Sequence, residues 1–338
     1  MTLSCASFDT RIHDQLTQAS WTLLETGSTE SLRGICVVDD SVVWACGSTS
    51  TVLRSVDGGD TWENVSAPPQ LQLELRDIQA WDDQNALALS ITEPAAVWRT
   101  TDGGDNWTEL FRHPAQGAFV DSFTFFDRDN GLLFGDPTPE EFILMRTSDG
   151  GESWTQVDAG NAPHAGRDEA AFAASGTCVV SHGKHSAWIG TGGKQTRVLC
   201  STDAGVSWSA VASPMITGEA TTGIYSVAFR DDERGVTLGG DYTKPEEPAG
   251  NAAFTTDGGV SWTAVLDGQG PRGHRAGAAW LPGNCLGVVA VGRAGCDYSV
   301  DGGATWAPIE GPGFYTVAFA PAGVGFAAGS DGRIARLQ

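Results

Sequence analysis

The chain is poor in positive charge: among 338 residues there are 20 Lys and Arg against 42 Asp and Glu, a formal net charge of −22. A surface of that sign repels a phosphate backbone, which argues against nucleic acid as a partner and gives no support for attachment to an anionic membrane. Long apolar runs are missing too, and none approaches the ~20 residues of a membrane-spanning helix. Cysteine is scarce. The seven residues are odd in number and widely spaced, with no C-x-x-C, against a disulfide framework or a zinc site. Cys36 and Cys46 fall on adjacent strands of one expected hairpin, and the favoured reading is a pair of buried thiols acting as small hydrophobes. His182 and His185 share a polar turn and are expected to face solvent, so no metal is expected. No G-x-G-x-x-G follows a strand and opens a helix, and no helix-rich segment offers a dinucleotide fold, so no cofactor is expected. A convincing secretory signal is also lacking. "TLSCA" at 2–6 resembles the end of a lipoprotein signal, and an extracytoplasmic location with a trimmed N-terminus is the expectation.

Glycine, at 44, and tryptophan, at 12, are abundant, and one phrase explains both. "SVDGGDTW" at 55–62 returns as "TTDGGDNW" at 100–107, "TSDGGESW" at 147–154, "STDAGVSW" at 201–208, "TTDGGVSW" at 255–262 and "SVDGGATW" at 299–306. "GSDGRIARL" at 329–337 reads as a remnant of it. The pattern is [ST]-x-Asp-x-Gly-x-x-Trp, with Asp57, Asp102, Asp149, Asp203, Asp257 and Asp301 about 45 to 54 residues apart, a period that signals a solenoid, propeller or array. These aspartates are structural candidates. Each can accept hydrogen bonds from its own turn, the glycines supply positive φ for a tight hairpin, and the Trp can fold its ring under the turn.

Each phrase follows two β-rich runs split by a polar turn, such as "DRDNG" or "RDDERG", and precedes a short strand such as "SWTQV". That makes four antiparallel strands per repeat, with seven paired runs but six complete phrases. "ASWTLLET" at 19–26 matches the strand after the Trp and has no paired runs before it. The expected fold is therefore an all-β, seven-bladed β-propeller over residues 1–338. Residues 20–25 supply the outer strand of the last blade, and closure of the ring removes exposed edges.

The six phrases resemble the Asp-box, or bacterial neuraminidase repeat, shared by sialidases, xyloglucanases and sorting receptors. Seven short blades in one chain resemble more narrowly the photosystem II stability/assembly factor family. "DSFTFFDRDNGLLFGDP", "EAAFAASGT", "TTGIYSVAF", "GGDYTKPE" and "GFYTVAF" are similar to a non-photosynthetic bacterial branch whose members often carry the label oxidoreductase or glycosyl hydrolase. The resemblance implies an Arg-rich surface patch in photosynthetic members. This chain is strongly acidic, which argues against a photosystem partner, and nothing in it supports the oxidoreductase label.

Strand order puts the loops before first strands and after second strands on one face, opposite the repeated turns. Candidate ligand-binding residues there are Arg33, Arg76, Asp121, Glu169, Thr222, Tyr225, Arg275 and Tyr315 ahead of or opening first strands, and Asp136, Asp241, Tyr242 and Lys244 after second strands. Guanidinium groups from several blades meeting at the axis imply an acidic ligand held by charge-assisted bonds. The competing reading pairs each Arg with a neighbour such as Asp77 or Asp121. "GGDYTKPEEPAGN" is longer than the other second-to-third strand connections, a mark of functional loops. Two function classes remain. One is a non-catalytic binding or assembly-factor-like propeller taking a protein, peptide or carbohydrate. The other is a sialidase-like glycoside hydrolase with Tyr315 as nucleophile backed by Glu169. It is disfavoured by the absent Arg-Ile-Pro signature and by a blade count of seven rather than six. Binding is the favoured class.

Overall fold

A computed structural model describes residues 16–67, 71–91, 93–138, 141–283 and 286–338. "TLSCA", Cys5 and Cys285 lie outside the described residues. The chain forms seven antiparallel sheets that follow one another in sequence. Blade 1 runs Leu32–Val37, Val43–Gly47, Val52–Ser55 and Glu63–Asn64, from axis to rim. Blades 2 to 6 repeat this order, their first strands being Leu75–Ala80, Val120–Phe125, Val179–His182, Thr222–Phe229 and Gly277–Trp280. Blade 7 takes Thr316–Phe319, Gly325–Ala328 and Ile334–Leu337 from the C-terminal end, and Trp21–Leu24 pairs antiparallel with Ile334–Leu337 to complete it.

The cohesion lies between blades. Among the described residues, apolar side chains of neighbouring blades pack together in seven buried clusters, and an eighth, Ala174, Tyr225 and Ala276, lies at the axis. Phe326, Ala328 and Ile334 of blade 7 pack with Leu32, Val43 and Leu53 of blade 1, so the closing seam is an apolar cluster like the other junctions. Truncating a fully buried ring such as Phe326 to Ala removes about 3–5 kcal/mol by lost transfer energy and the cavity left behind.

The repeated phrase is a self-contained hydrogen-bonded turn. In the first copy the Ser55 hydroxyl donates to Asp57 at 2.8 Å and accepts from the Gly59 amide at 2.8 Å, while Asp57 also accepts from the Thr61 amide and hydroxyl. The pattern recurs at Asp102, Asp149, Asp203, Asp257 and Asp301. The Trp62, Trp154, Trp208 and Trp306 indoles donate to a glycine carbonyl of their own turn, whereas Trp107 reaches Val65 of blade 1. "GSDGRIARL" is a correction. Residues 329–333 link the second and third strands of blade 7, on the opposite face from the phrases. Ser330 directly precedes Asp331 instead of standing two residues before it, so the hydroxyl cannot bridge Asp and Gly as Ser55 does.

Five described cysteines, Cys36, Cys46, Cys178, Cys200 and Cys296, are free thiols. Cys36 stands opposite Trp44, and Cys46 opposite Gly34, so the two thiols are not cross-strand partners. Burial pushes Cys36 up to about 11, away from thiolate chemistry. No helix among the described residues is long and apolar enough to cross a membrane.

Candidate functional site: the axial mouth

The face opposite the phrases carries a cavity of about 570 Å³ at the propeller axis. That is within the usual size range of small-ligand sites. A shared irregularity builds it. The first strands of blades 1, 2, 3 and 5 each carry a register shift near their start, between Leu32 and Gly34, Leu75 and Asp77, Val120 and Ser122, and Ile224 and Ser226. The residues released from pairing are Arg33, Arg76, Asp121 and Tyr225. A bulge re-aims a side chain that a regular strand would commit to the sheet, and here it brings Arg33, Arg76 and Tyr225 to the cavity, while Asp121 stays buried.

The connection from blade 3 to blade 4, residues 157–178, fills the axis as a strap. Its stretch Glu169–Ala170 pairs with Gly192–Gly193. Gly192 in turn pairs with Gly223, where a Cβ on Gly192 would stand 2.6 Å from the Thr222 carbonyl oxygen, so the contact requires glycine. Beyond Ala170 the strap reaches five blades. Arg76 donates to the Ala173 carbonyl at 3.1 Å, the Ala171 amide donates to Asp136 at 3.0 Å, and Phe172 stacks on Tyr225 with centroids 3.9 Å apart. Ser175 donates to the Ala276 carbonyl at 2.6 Å, and its own carbonyl accepts from Thr316 at 3.0 Å. Five strap residues, 170–174, form the floor of the mouth.

The wall is divided by charge. On one side stand Arg33, Arg76 and Arg293 with Tyr315; the Arg33 guanidinium lies 3.6 Å from the Tyr315 ring centroid. Burial pushes Arg33 down to about 10, and Arg76 and Arg293 add to the fall while Tyr315 opposes it. The nearest carboxylate contact of this group is Arg76 with Glu74 at 3.4 Å. On the other side stand Tyr225, His274 and the half-exposed Tyr242. His274 packs edge-on to Tyr225 with centroids 4.4 Å apart, and neither of its ring nitrogens has a partner among the described residues. Burial lowers His274 to about 4, so the imidazole is neutral at pH 7 and offers one free donor and one free acceptor. Asp136 completes the lining, and burial raises its carboxyl.

Residues 7–234 match the family model of the DUF6242 beta propeller domain. The chain belongs to that family. No curated protein matches the chain. Among solved structures it is similar to YCF48 bound to D1 peptide, at 18% identity and TM-score 0.66, covering 94% of this chain and 96% of that one. The GH74 xyloglucanase from Xanthomonas campestris superposes with TM-score 0.66 at 17% identity, over 94% of this chain and 53% of that one. U3-55K superposes with TM-score 0.67 at 11% identity, over 94% of this chain and 98% of that one. Propellers this far apart in sequence share the fold; what each site does is argued from its residues.

Of the residues expected at the mouth, Arg33, Arg76, Asp136, Tyr225, Tyr242 and Tyr315 line it together. Six others do not. Arg275 is fully buried and locked onto Asp297 through two of its nitrogens. Glu169 is buried in a two-pronged pair with Arg197, at 2.9 and 2.6 Å, and also accepts from the Thr191 hydroxyl and the Gly166 amide. It fastens the strap to blade 4 and is turned away from the mouth. Asp121 lies wholly buried, held well above the carboxylate range by burial and by Asp136. Thr222 donates to the Glu219 carbonyl, Asp241 accepts from Thr243, and exposed Lys244 sits between Asp241 and Glu247. The mouth adds Phe172, His274 and Arg293, which sequence reasoning missed. Arg293 follows a second strand, the slot already used for Asp136 and Tyr242, so its position was readable.

Proposed function

We propose that the protein is a non-catalytic binding propeller whose mouth takes an acidic peptide or protein segment. The observation that carries this reading is the meeting of Arg33, Arg76 and Arg293 at one cavity, with no carboxylate closer than 3.4 Å, in a chain of net charge −22. Several arginines elsewhere are closely paired. Arg54, Arg99, Arg128 and Arg336 each meet a carboxylate between 2.6 and 2.9 Å. A cluster whose one carboxylate contact, Arg76 with Glu74, is as long as 3.4 Å suits an incoming anion, which a planar guanidinium grips in bidentate fashion. The tyrosines and the neutral His274 opposite supply apolar contact and hydrogen bonds for the rest of the segment. YCF48, of the same fold, binds a peptide in its solved complex, which supports peptide as the ligand class.

The hydrolase alternative loses its carboxylate, because Glu169 is bound to Arg197 and does not stand behind Tyr315. Titrating capped acidic peptides by calorimetry tests the binding reading. Arg33→Ala and Arg293→Ala weaken binding at unchanged melting temperature. Turnover of fluorogenic sialosides or β-glucosides that disappears in Asp136→Asn would overturn it.

A further inference from the structure

A second cavity, of about 320 Å³, opens beside the mouth over the seam of blades 6 and 7. It is lined by Arg293, Gly313, Phe314, Tyr315, Ser330 and Arg333, and shares Arg293 and Tyr315 with the mouth. The two cavities therefore adjoin at Arg293 and Tyr315, two halves of a groove with the Tyr315 ring at their boundary. Arg33 covers one face of that ring from the mouth side.

The outer cavity has its own anion-binding chemistry. Arg333 spends one nitrogen on the Gly313 carbonyl at 2.8 Å, which fixes the guanidinium at the cavity wall. Its nearest carboxylate is the exposed Asp331, at 3.9 Å, a contact too long for a hydrogen bond. Exposed Arg293 has no carboxylate within ion-pair reach, and the Ser330 hydroxyl no hydrogen-bond partner, among the described residues. Arg272, ahead of blade 6 and also exposed, shows the alternative: it is held by Asp297 at 3.3 Å and Glu310 at 3.6 Å.

Resting on the mouth reading above, we propose that the groove takes an extended peptide with two acidic side chains, one on each side of Tyr315. The first is held by Arg33, Arg76 and Arg293. The second is held by Arg293, Arg333 and the Ser330 hydroxyl, with the intervening backbone crossing the Tyr315 ring. Arg293 stands between the two anions, so its removal affects both.

Fluorescence anisotropy on the full chain separates the two claims. The probes are labelled peptides with capped ends, bearing either one glutamate or two glutamates separated by a short variable spacer. The two-acid peptide of best spacing binds at least about tenfold tighter, with a steeper salt dependence. Arg333→Gln keeps a donor for the Gly313 carbonyl but removes the charge, and it erases that advantage while leaving the one-acid affinity unchanged. Ser330→Ala, which breaks no side-chain hydrogen bond among the described residues, reduces the same advantage. Equal affinity for the two peptides at every spacing, or an advantage that survives Arg333→Gln, overturns the second subsite while the mouth reading stands. If neither peptide binds, or Arg33→Ala leaves both unaffected, the mouth reading has failed and the second subsite with it.

Discussion

Ser122 of blade 3 stands 2.7 Å from Asp77 of blade 2 and 2.9 Å from the Gly176 carbonyl of the strap. A hydroxyl has one proton to give. When it goes to the carbonyl, Asp77 must be the donor to Ser122, which requires the carboxylic acid. Burial pushes Asp77 up to about 7, against the opposing bonds from Ser122, Phe123 and Ile78. A folded pKa above the unfolded value means the native state holds the extra proton. The contribution is fully present below about pH 4 and is lost as pH rises through 7. Asp77→Asn is expected to remove that loss, so the urea midpoint of wild type falls relative to that of the variant between about pH 4 and 7 and runs level with it above. Parallel profiles would show that Asp77 ionises without cost.

His274 works in the opposite direction. Its folded pKa, about 4, lies below the ordinary value of 6.5 because of burial, with Arg275 adding to the effect. The unfolded chain therefore takes up the proton first. Stability from a neutral His274 is present above about pH 6.5 and is lost as pH falls toward 4. Asp57 and Asp257, held near 2 chiefly by hydrogen bonds from Thr61 and Ser261, extend the acid loss to lower pH. His274→Gln is expected to remove the His274 loss, so the variant gains stability relative to wild type as pH falls from 6.5 to 4 while the lower interval is unchanged, as read by thermal melts across pH.

The two buried arginine pairs are structural ties. Glu169→Gln leaves Arg197 short of its partner, and Arg275→Ala leaves Asp297 buried without its closest cation. Each is expected to cost about 3–5 kcal/mol in denaturant unfolding. Arg33→Ala has no ion pair to break and is expected to leave the midpoint nearly unchanged. A stable Arg275→Ala protein with lost peptide binding would return Arg275 to the mouth.

Removal of residues 1–26 takes away Trp21–Leu24 and exposes Ile334–Leu337 as an unpaired edge. Such an edge recruits other strands. The truncated chain is expected to melt early and associate, by scanning calorimetry and light scattering. A monomer with an unchanged melting temperature would mean the seam holds through Phe326 and Leu32 alone.

The sequence by itself determined the repeat and its closure. The hydrogen bonds of each phrase link residues two and four apart, as Ser55, Asp57, Gly59 and Thr61 do, so the turn is written in consecutive letters. The unpaired "ASWTLLET" was legible because it matches the strand that follows each Trp. Spacing within the phrase also mattered, and "GSDGRIARL" misled because the hydroxyl stands one residue too close to its Asp. Only the tertiary structure decided the site. Arg33 and Arg275 occupy like positions in the chain, yet one covers Tyr315 and the other is captured by Asp297, because a carboxylate happens to face the second and none faces the first. The strap's role rests on hydrogen bonds with Arg76, Ala276 and Thr316, about a hundred residues or more away in the chain. Contacts of that range leave no periodic mark in a sequence, because they exist only once the seven blades have closed the ring.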